Sequence, residues 1–125
     1  MMPARRAARP RIDTFQTPLL KIIHLDADLA AIDKPAGLLV HPTGLDAHET
    51  RNAMALLRNQ LGAHVWPLHR LDKGTSGVLL FARHEAAASR WRAPFEAGTV
   101  RKRYLALVRG WPDEKGEVNY PLARD

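Results

Sequence analysis

The stretch SGVLLFA, residues 76–82, constrains this chain more than any other. It is a continuous apolar run of strand length, entered through a serine and a glycine, and it fits a central strand covered on both faces. HRLDKGT stands directly before it and sets Asp72 at the lip of that strand, behind a Lys-Gly-Thr-Ser-Gly turn. Turns often use aspartate. They rarely need His-Arg-Leu ahead of it and Thr-Ser-Gly behind.

The rest of the pattern is mixed α and β. LLKIIHLDADLAAIDKP reads as two short strands, residues 20–25 and 29–33, joined by an Asp-Ala-Asp turn. KPAGLLVHPTG is a loop with a short apolar centre. ETRNAMALLRNQLG is the clearest helix: Ala53, Leu56, Leu57 and Leu61 share a face, Thr50 is the expected N-cap, and Gly62 sits where a terminating glycine belongs. HEAAASRWRAPFEAG places Ala87, Trp91 and Phe95 four apart, with Pro94 expected to kink or end the helix and Gly98 as the stop. TVRKRYLALVRG alternates as a strand, with Val100, Lys102, Tyr104, Ala106 and Val108 on one face. Order is expected from residue 18 onward, and residues 1–17, rich in arginine, form a basic arm.

Lysine and arginine number 19 against 13 acids, a net charge of +6, which points first to a polyanionic partner, most commonly nucleic acid. There are no cysteines, so disulfides, thiolate catalysis and cysteine-held metals are excluded. The six histidines have no metal-ligand spacing, and no metal site is expected. No apolar run approaches the ~20 residues of a spanning helix, and no membrane association is expected. Other motifs fail on inspection. KGTS lacks the upstream glycine of a phosphate loop, HRLD has none of the companion motifs of a kinase, and GTSG lacks one residue of a Gly-x-Ser-x-Gly elbow.

What remains is a likeness. HRLDKGTSGVLLFA resembles the signature of the RluA-type pseudouridine synthases, and AIDKPAGLLVHP upstream, FEAGTVRKRYLALVRG downstream and the closing YPL agree with that family in order and spacing. The resemblance implies an α+β fold with a mixed, mainly antiparallel sheet and flanking helices. Residues 18–125 would be the N-terminal portion of the catalytic domain, because the family's later strands have no counterpart after YPLARD. It implies a cytoplasmic enzyme that isomerises uridine to pseudouridine in RNA, with a tRNA T-stem uridine as the expected target and ribosomal RNA as the alternative. A missing C-terminal half of the domain would be a further partner, and a truncated, inactive RNA-binding module is the other reading.

The chemistry suits the residues. Moving C1′ of the ribose from N1 to C5 of the same base oxidises nothing and loses nothing, so no cofactor is expected. It does call for a carboxylate near the sugar, the logic of a retaining glycosidase with one carboxylate in place of two. By resemblance Asp72 is that catalytic group, and Tyr104 is the active-site tyrosine that stacks on uracil and can move a proton. Arg70 holds the flipped nucleotide or its displaced neighbours, and it is also an expected ion-pair partner of Asp72. Lys102 shares a strand face with Tyr104 and is expected on a phosphate. Thr75 shapes the turn and the RNA-facing loop. Lys34 and Pro35 are expected at the pocket rim.

Overall fold

The computed structural model describes residues 19–42 and 51–122. The basic arm at 1–17 and the cap expected at Thr50 lie outside them. Among the described residues the elements run β1 (Lys21–Leu25), β2 (Leu29–Lys34), α1 (Ala53–Leu61), β3 (Trp66–Pro67), β4 (Gly77–Ala82) and α2 (Glu85–Glu96). The four strands form one sheet in the order β1-β2-β4-β3, with every neighbouring pair antiparallel. This is the mixed α+β arrangement that the sequence implies.

The β1–β2 hairpin turns on Asp26, whose Oδ1 accepts the N–H groups of Asp28 and Leu29 at 2.8 and 2.7 Å. Such side-chain capture of the turn backbone is why Asp is favoured there. β2 then pairs with β4 along its full length, from Leu29 opposite Ala82 to Lys34 opposite Gly77. Ile32, Leu79 and Phe81 from this pair meet Leu57 of α1 and Val65 in the main core. The opposite face of β4 meets a second, smaller cluster of Leu68, Ala82, Ala87 and Ala88 under α2.

β4 is therefore central but not covered on both faces throughout. Its first residues are the less buried ones, and Val78 is 58% exposed. The covering expected from the apolar run is real only at the strand's far end.

The N-cap of α1 is Asn52 rather than Thr50. Asn52 has extended backbone, and its side chain accepts the Ala55 N–H at 2.9 Å. The reason is a parallel bridge between Leu39 and Asn52, which holds the chain extended up to that residue. Gly62 closes the helix in the left-handed region (φ 71°), where a side chain would be strained. α2 starts on a His84 cap and carries Pro94 in its last turn, two residues before it ends. There its missing N–H forfeits one hydrogen bond, to the Arg90 carbonyl, but the helix ends within two residues and a mid-helix break is avoided.

The segment from Thr99 onward departs most from expectation. Among the described residues it joins no strand of the sheet, although its alternation is clean. A strand is held by its neighbour's backbone, and none is supplied here. Leu105, Leu107, Trp111 and Leu122 stand almost wholly in solvent.

Candidate active site

The HRLD stretch is held from two sides. On one, the chain leaving β3 follows the edge of β4: Leu68 N–H donates to the Leu80 carbonyl at 3.0 Å, and Leu80 N–H donates to Nε2 of His69 at 3.0 Å. Exposure then alternates. His69 is half-buried, Arg70 exposed, Leu71 buried in the core, and Asp72 exposed again. Anchoring the first and third residues turns the second and fourth outward. A tight turn follows, in which Thr75 N–H donates to the Asp72 carbonyl at 2.9 Å, and the chain enters β4.

The second hold comes from beneath. Lys34, the last residue of β2, is 0% exposed. Its Nζ donates to the carbonyls of Pro35 (2.9 Å), Leu38 and Lys73 (3.2 Å), the Leu38 contact being the shortest at 2.6 Å. Gly37 N–H also donates to the Lys73 carbonyl at 2.7 Å. The KPAG loop and the Asp72 turn are thus joined through one buried ammonium. Burial pushes the Lys34 pKa below its usual 10.5, since water no longer stabilises the charge. The rim position expected of Lys34 is accordingly wrong: its charge is spent on three carbonyls below the surface.

Three concavities open above this scaffold. The smallest, about 90 Å³, has Asp72, Arg70, His41 and Lys73 in its wall. A second, about 470 Å³, is bounded by His41, Arg70, His69, Arg92, Phe95 and Lys102. The third, about 890 Å³, lies between Thr75, Val78, Leu80 and Phe95 on one side and residues 100–106, with Lys102 and Tyr104, on the other. The first and second share His41 and Arg70. The second and third share His69, Phe95 and Lys102. They form one run of concave surface with Asp72 at one end, Tyr104 at the other and cations between.

The expected site residues are therefore on one surface but not in one cavity. Arg70 stands with Asp72, Arg70 with Lys102, and Lys102 with Thr75 and Tyr104. Asp72 and Tyr104 line no cavity in common. Tyr104 is 60% exposed on a segment without a neighbouring strand. The expected ion pair between Arg70 and Asp72 is not formed: no salt bridge joins them among the described residues, because both side chains are turned into solvent.

His69 and Arg92 carry no role in the sequence reading, yet both face the middle cavity. His69 stacks on Phe95, ring centroids 4.9 Å apart and planes 6° from parallel. Burial lowers its pKa below 6.5, and the Lys102 charge lowers it further, against the opposite pull of the Arg70 backbone. Its place inside HRLD is the one signal that could have singled it out from the other histidines. Among the described residues no three His, Cys, Asp or Glu side chains gather as metal ligands would. No helix among them is long and apolar enough to cross a membrane.

A family model described as RNA pseudouridylate synthase matches residues 28–125. The tRNA pseudouridine synthase C of Haemophilus ducreyi is 53% identical over 103 residues, covering 82% of this chain and 42% of that protein. Its namesake from Vibrio vulnificus is 49% identical over 104 residues, 83% of this chain and 42% of that one. That of Haemophilus influenzae is 50% identical over 104 residues, 83% and 44%. The chain spans about two-fifths of the length of these curated relatives. Among solved structures, Human RNA Pseudouridylate Synthase Domain Containing 1 aligns with a TM-score of 0.51 at 22% identity, over 78% of this chain and 31% of that one, a likeness of fold.

Proposed function

We propose that this chain, which belongs to the RNA pseudouridylate synthase family, carries the nucleophile and part of the nucleotide cradle of an enzyme that converts a tRNA uridine to pseudouridine. The observation that carries the reading is the placement of Asp72: an exposed carboxylate on a turn clamped from below by Lys34 and opening onto a cation-lined surface. A flexible carboxylate would lose much of its advantage, since catalysis of this kind depends on holding reacting atoms in place.

In the proposed reaction the uridine leaves its stack, at a cost of a few kcal/mol. The Asp72 carboxylate acts at the ribose, either as nucleophile at C1′ or as the base that begins elimination. The C1′–N1 bond breaks and the uracil turns within the site. C5 then bonds to C1′, which releases the carboxylate in the first route and is accompanied by return of the C2′ proton in the second; the proton on C5 is lost to a base, and N1 gains a proton. Electrons and atoms balance within the nucleotide. Tyr104 stacks on the uracil and serves the proton transfer, Lys102 takes a phosphate, and Thr75 keeps the turn in shape. Arg70 fills the space the base has left or grips the flipped nucleotide. The similarity to tRNA pseudouridine synthase C favours tRNA, with the T-stem as the target and the cytoplasm as the place of action.

Because the relatives are about twice as long, we take the full site to need polypeptide beyond the described fold. The exposed apolar residues of the segment after Thr99 are where it would pack, bringing Tyr104 toward Asp72. The separation of those two residues favours a second reading, in which the chain as given binds RNA without turning it over. Tritium release from tRNA labelled at uracil C5, measured beside tRNA binding, separates the two. Release abolished by Asp72→Asn supports the enzyme; binding without release, unaffected by Asp72→Asn, supports the module.

A further inference from the structure

We propose that His69 is a positioning residue, a neutral imidazole that fastens the HRLD stretch to β4 and thereby sets where Arg70 and Asp72 stand. This inference rests on the proposed function for its catalytic consequence, but not for its structural one.

The link follows from the hydrogen bond. Nε2 accepts the Leu80 N–H at 3.0 Å, so it must present a lone pair and the ring proton must sit on Nδ1. One imidazole thus joins β4 to the residue three before Asp72. The parallel stack on Phe95 holds the ring plane and so the direction of that bond. Leu71, buried just beyond, is the second fixed point. Between and after these two points, Arg70 and Asp72 have nowhere to turn but outward.

The device tolerates one protonation state. A second proton on Nε2 would point N–H at N–H and leave the Leu80 amide without its acceptor. The groups facing the ring's two cavities are Arg101, Lys102, Arg103 and Tyr104 from the segment after Thr99, Arg70 beside it, Arg92 and Glu96 from α2, and His41 from the loop after β2. Five of these are fixed cations and one is an acid, so the surroundings oppose the imidazolium. Burial and the Lys102 charge act in the same direction. Below the lowered pKa the link opens, and the turn that carries Asp72 is released from β4.

The test is an NMR titration of the full chain with labelled histidine, following the His69 ring nitrogens and the backbone amides of residues 70–74. The expected result is the Nδ1–H tautomer at neutral pH, a midpoint below 6.5, and amides of residues 70–74 that shift with that same midpoint. Lys102→Met should raise the midpoint. His69→Gln offers an acceptor that does not titrate in this range, and it should abolish the acid-dependent amide shifts while the fold is retained. An Nε2–H tautomer at neutral pH would overturn the inference, and so would amides that ignore the His69 midpoint. These readouts need no turnover. A tritium-release assay over pH adds the catalytic consequence: the acid limb should flatten in His69→Gln. Failure of the Asp72→Asn control would count against the proposed function, and failure of the titration against His69.

Discussion

Nζ of Lys34 lies 3.2 Å from the carbonyl oxygen of Lys73, across 39 residues of sequence, with no part of the Lys34 residue exposed to solvent. The residue next to the proposed nucleophile is thereby tied to the end of β2. A buried charge is costly unless its hydrogen bonds are met, and here three carbonyls meet them. Lys34→Met keeps most of the volume but leaves those carbonyls without their donor. We expect a loss of about 2–4 kcal/mol in denaturant unfolding and faster amide exchange at Thr75, whose N–H closes the turn. Unchanged stability and exchange would show that the clamp is dispensable.

Strong acid should loosen the hairpin end of the sheet. The His24 side chain, and after it the Leu29 and Asp28 N–H groups, hold the Asp26 pKa down to about 2 from 3.8. A carboxylate depressed in this way adds stability that is complete above the unfolded value and is lost as pH falls from 3.8 through about 2. Asp26 is exposed, so salt should weaken the effect. In Asp26→Asn the acid unfolding curve should be flatter across that window, as circular dichroism would show. An unaltered curve would mean that the turn contributes nothing to acid stability.

The apolar residues of the segment after Thr99 should make the chain self-associate. An unpaired segment carrying Leu105, Leu107 and Trp111 in solvent presents both backbone groups and side chains to other copies. Sedimentation should show association that grows with concentration, and Leu105→Lys with Leu107→Lys should reduce it several-fold. A wild-type chain that stays monomeric throughout would contradict this account of the segment.

The cations between Asp72 and Tyr104 should be read by salt. If Arg70 and Lys102 each neutralise a phosphate, replacing either with glutamine should weaken tRNA binding. It should also lower the slope of log affinity against log salt by about 1. A weaker affinity with an unchanged slope would assign them to the folding of the site instead.

Much of this architecture is legible in the residues, and the parts that are not have definite causes. The hairpin turn and the Gly62 terminus are local, so their sequence signals survive into the structure. The Asn52 cap is displaced from Thr50 by a bridge to Leu39, a partner thirteen positions away that no local pattern reports. Val78 is exposed because the covering of a strand is supplied by neighbours that the apolar run itself does not specify. Tyr104 alternates with its neighbours as a strand residue does, yet alternation records which face a strand would bury and cannot supply the neighbour. Lys34 beside a proline reads as surface, and only the fold shows three carbonyls converging on it. His69 shares with the other histidines a lack of metal-ligand spacing, and its contacts with Leu80 and Phe95 come from parts of the chain that no local pattern links to it.

The most direct test of the central claim is tritium release from tRNA labelled at uracil C5. It should be run with the 125-residue chain and with the longest reading frame that contains it, each as wild type and as Asp72→Asn. Release by the longer form is expected, lost by roughly a thousandfold or more in Asp72→Asn while tRNA binding persists, on the order expected when a nucleophile is removed. Release that survives Asp72→Asn would contradict the proposed function, and so would tight binding with no release from either wild-type form.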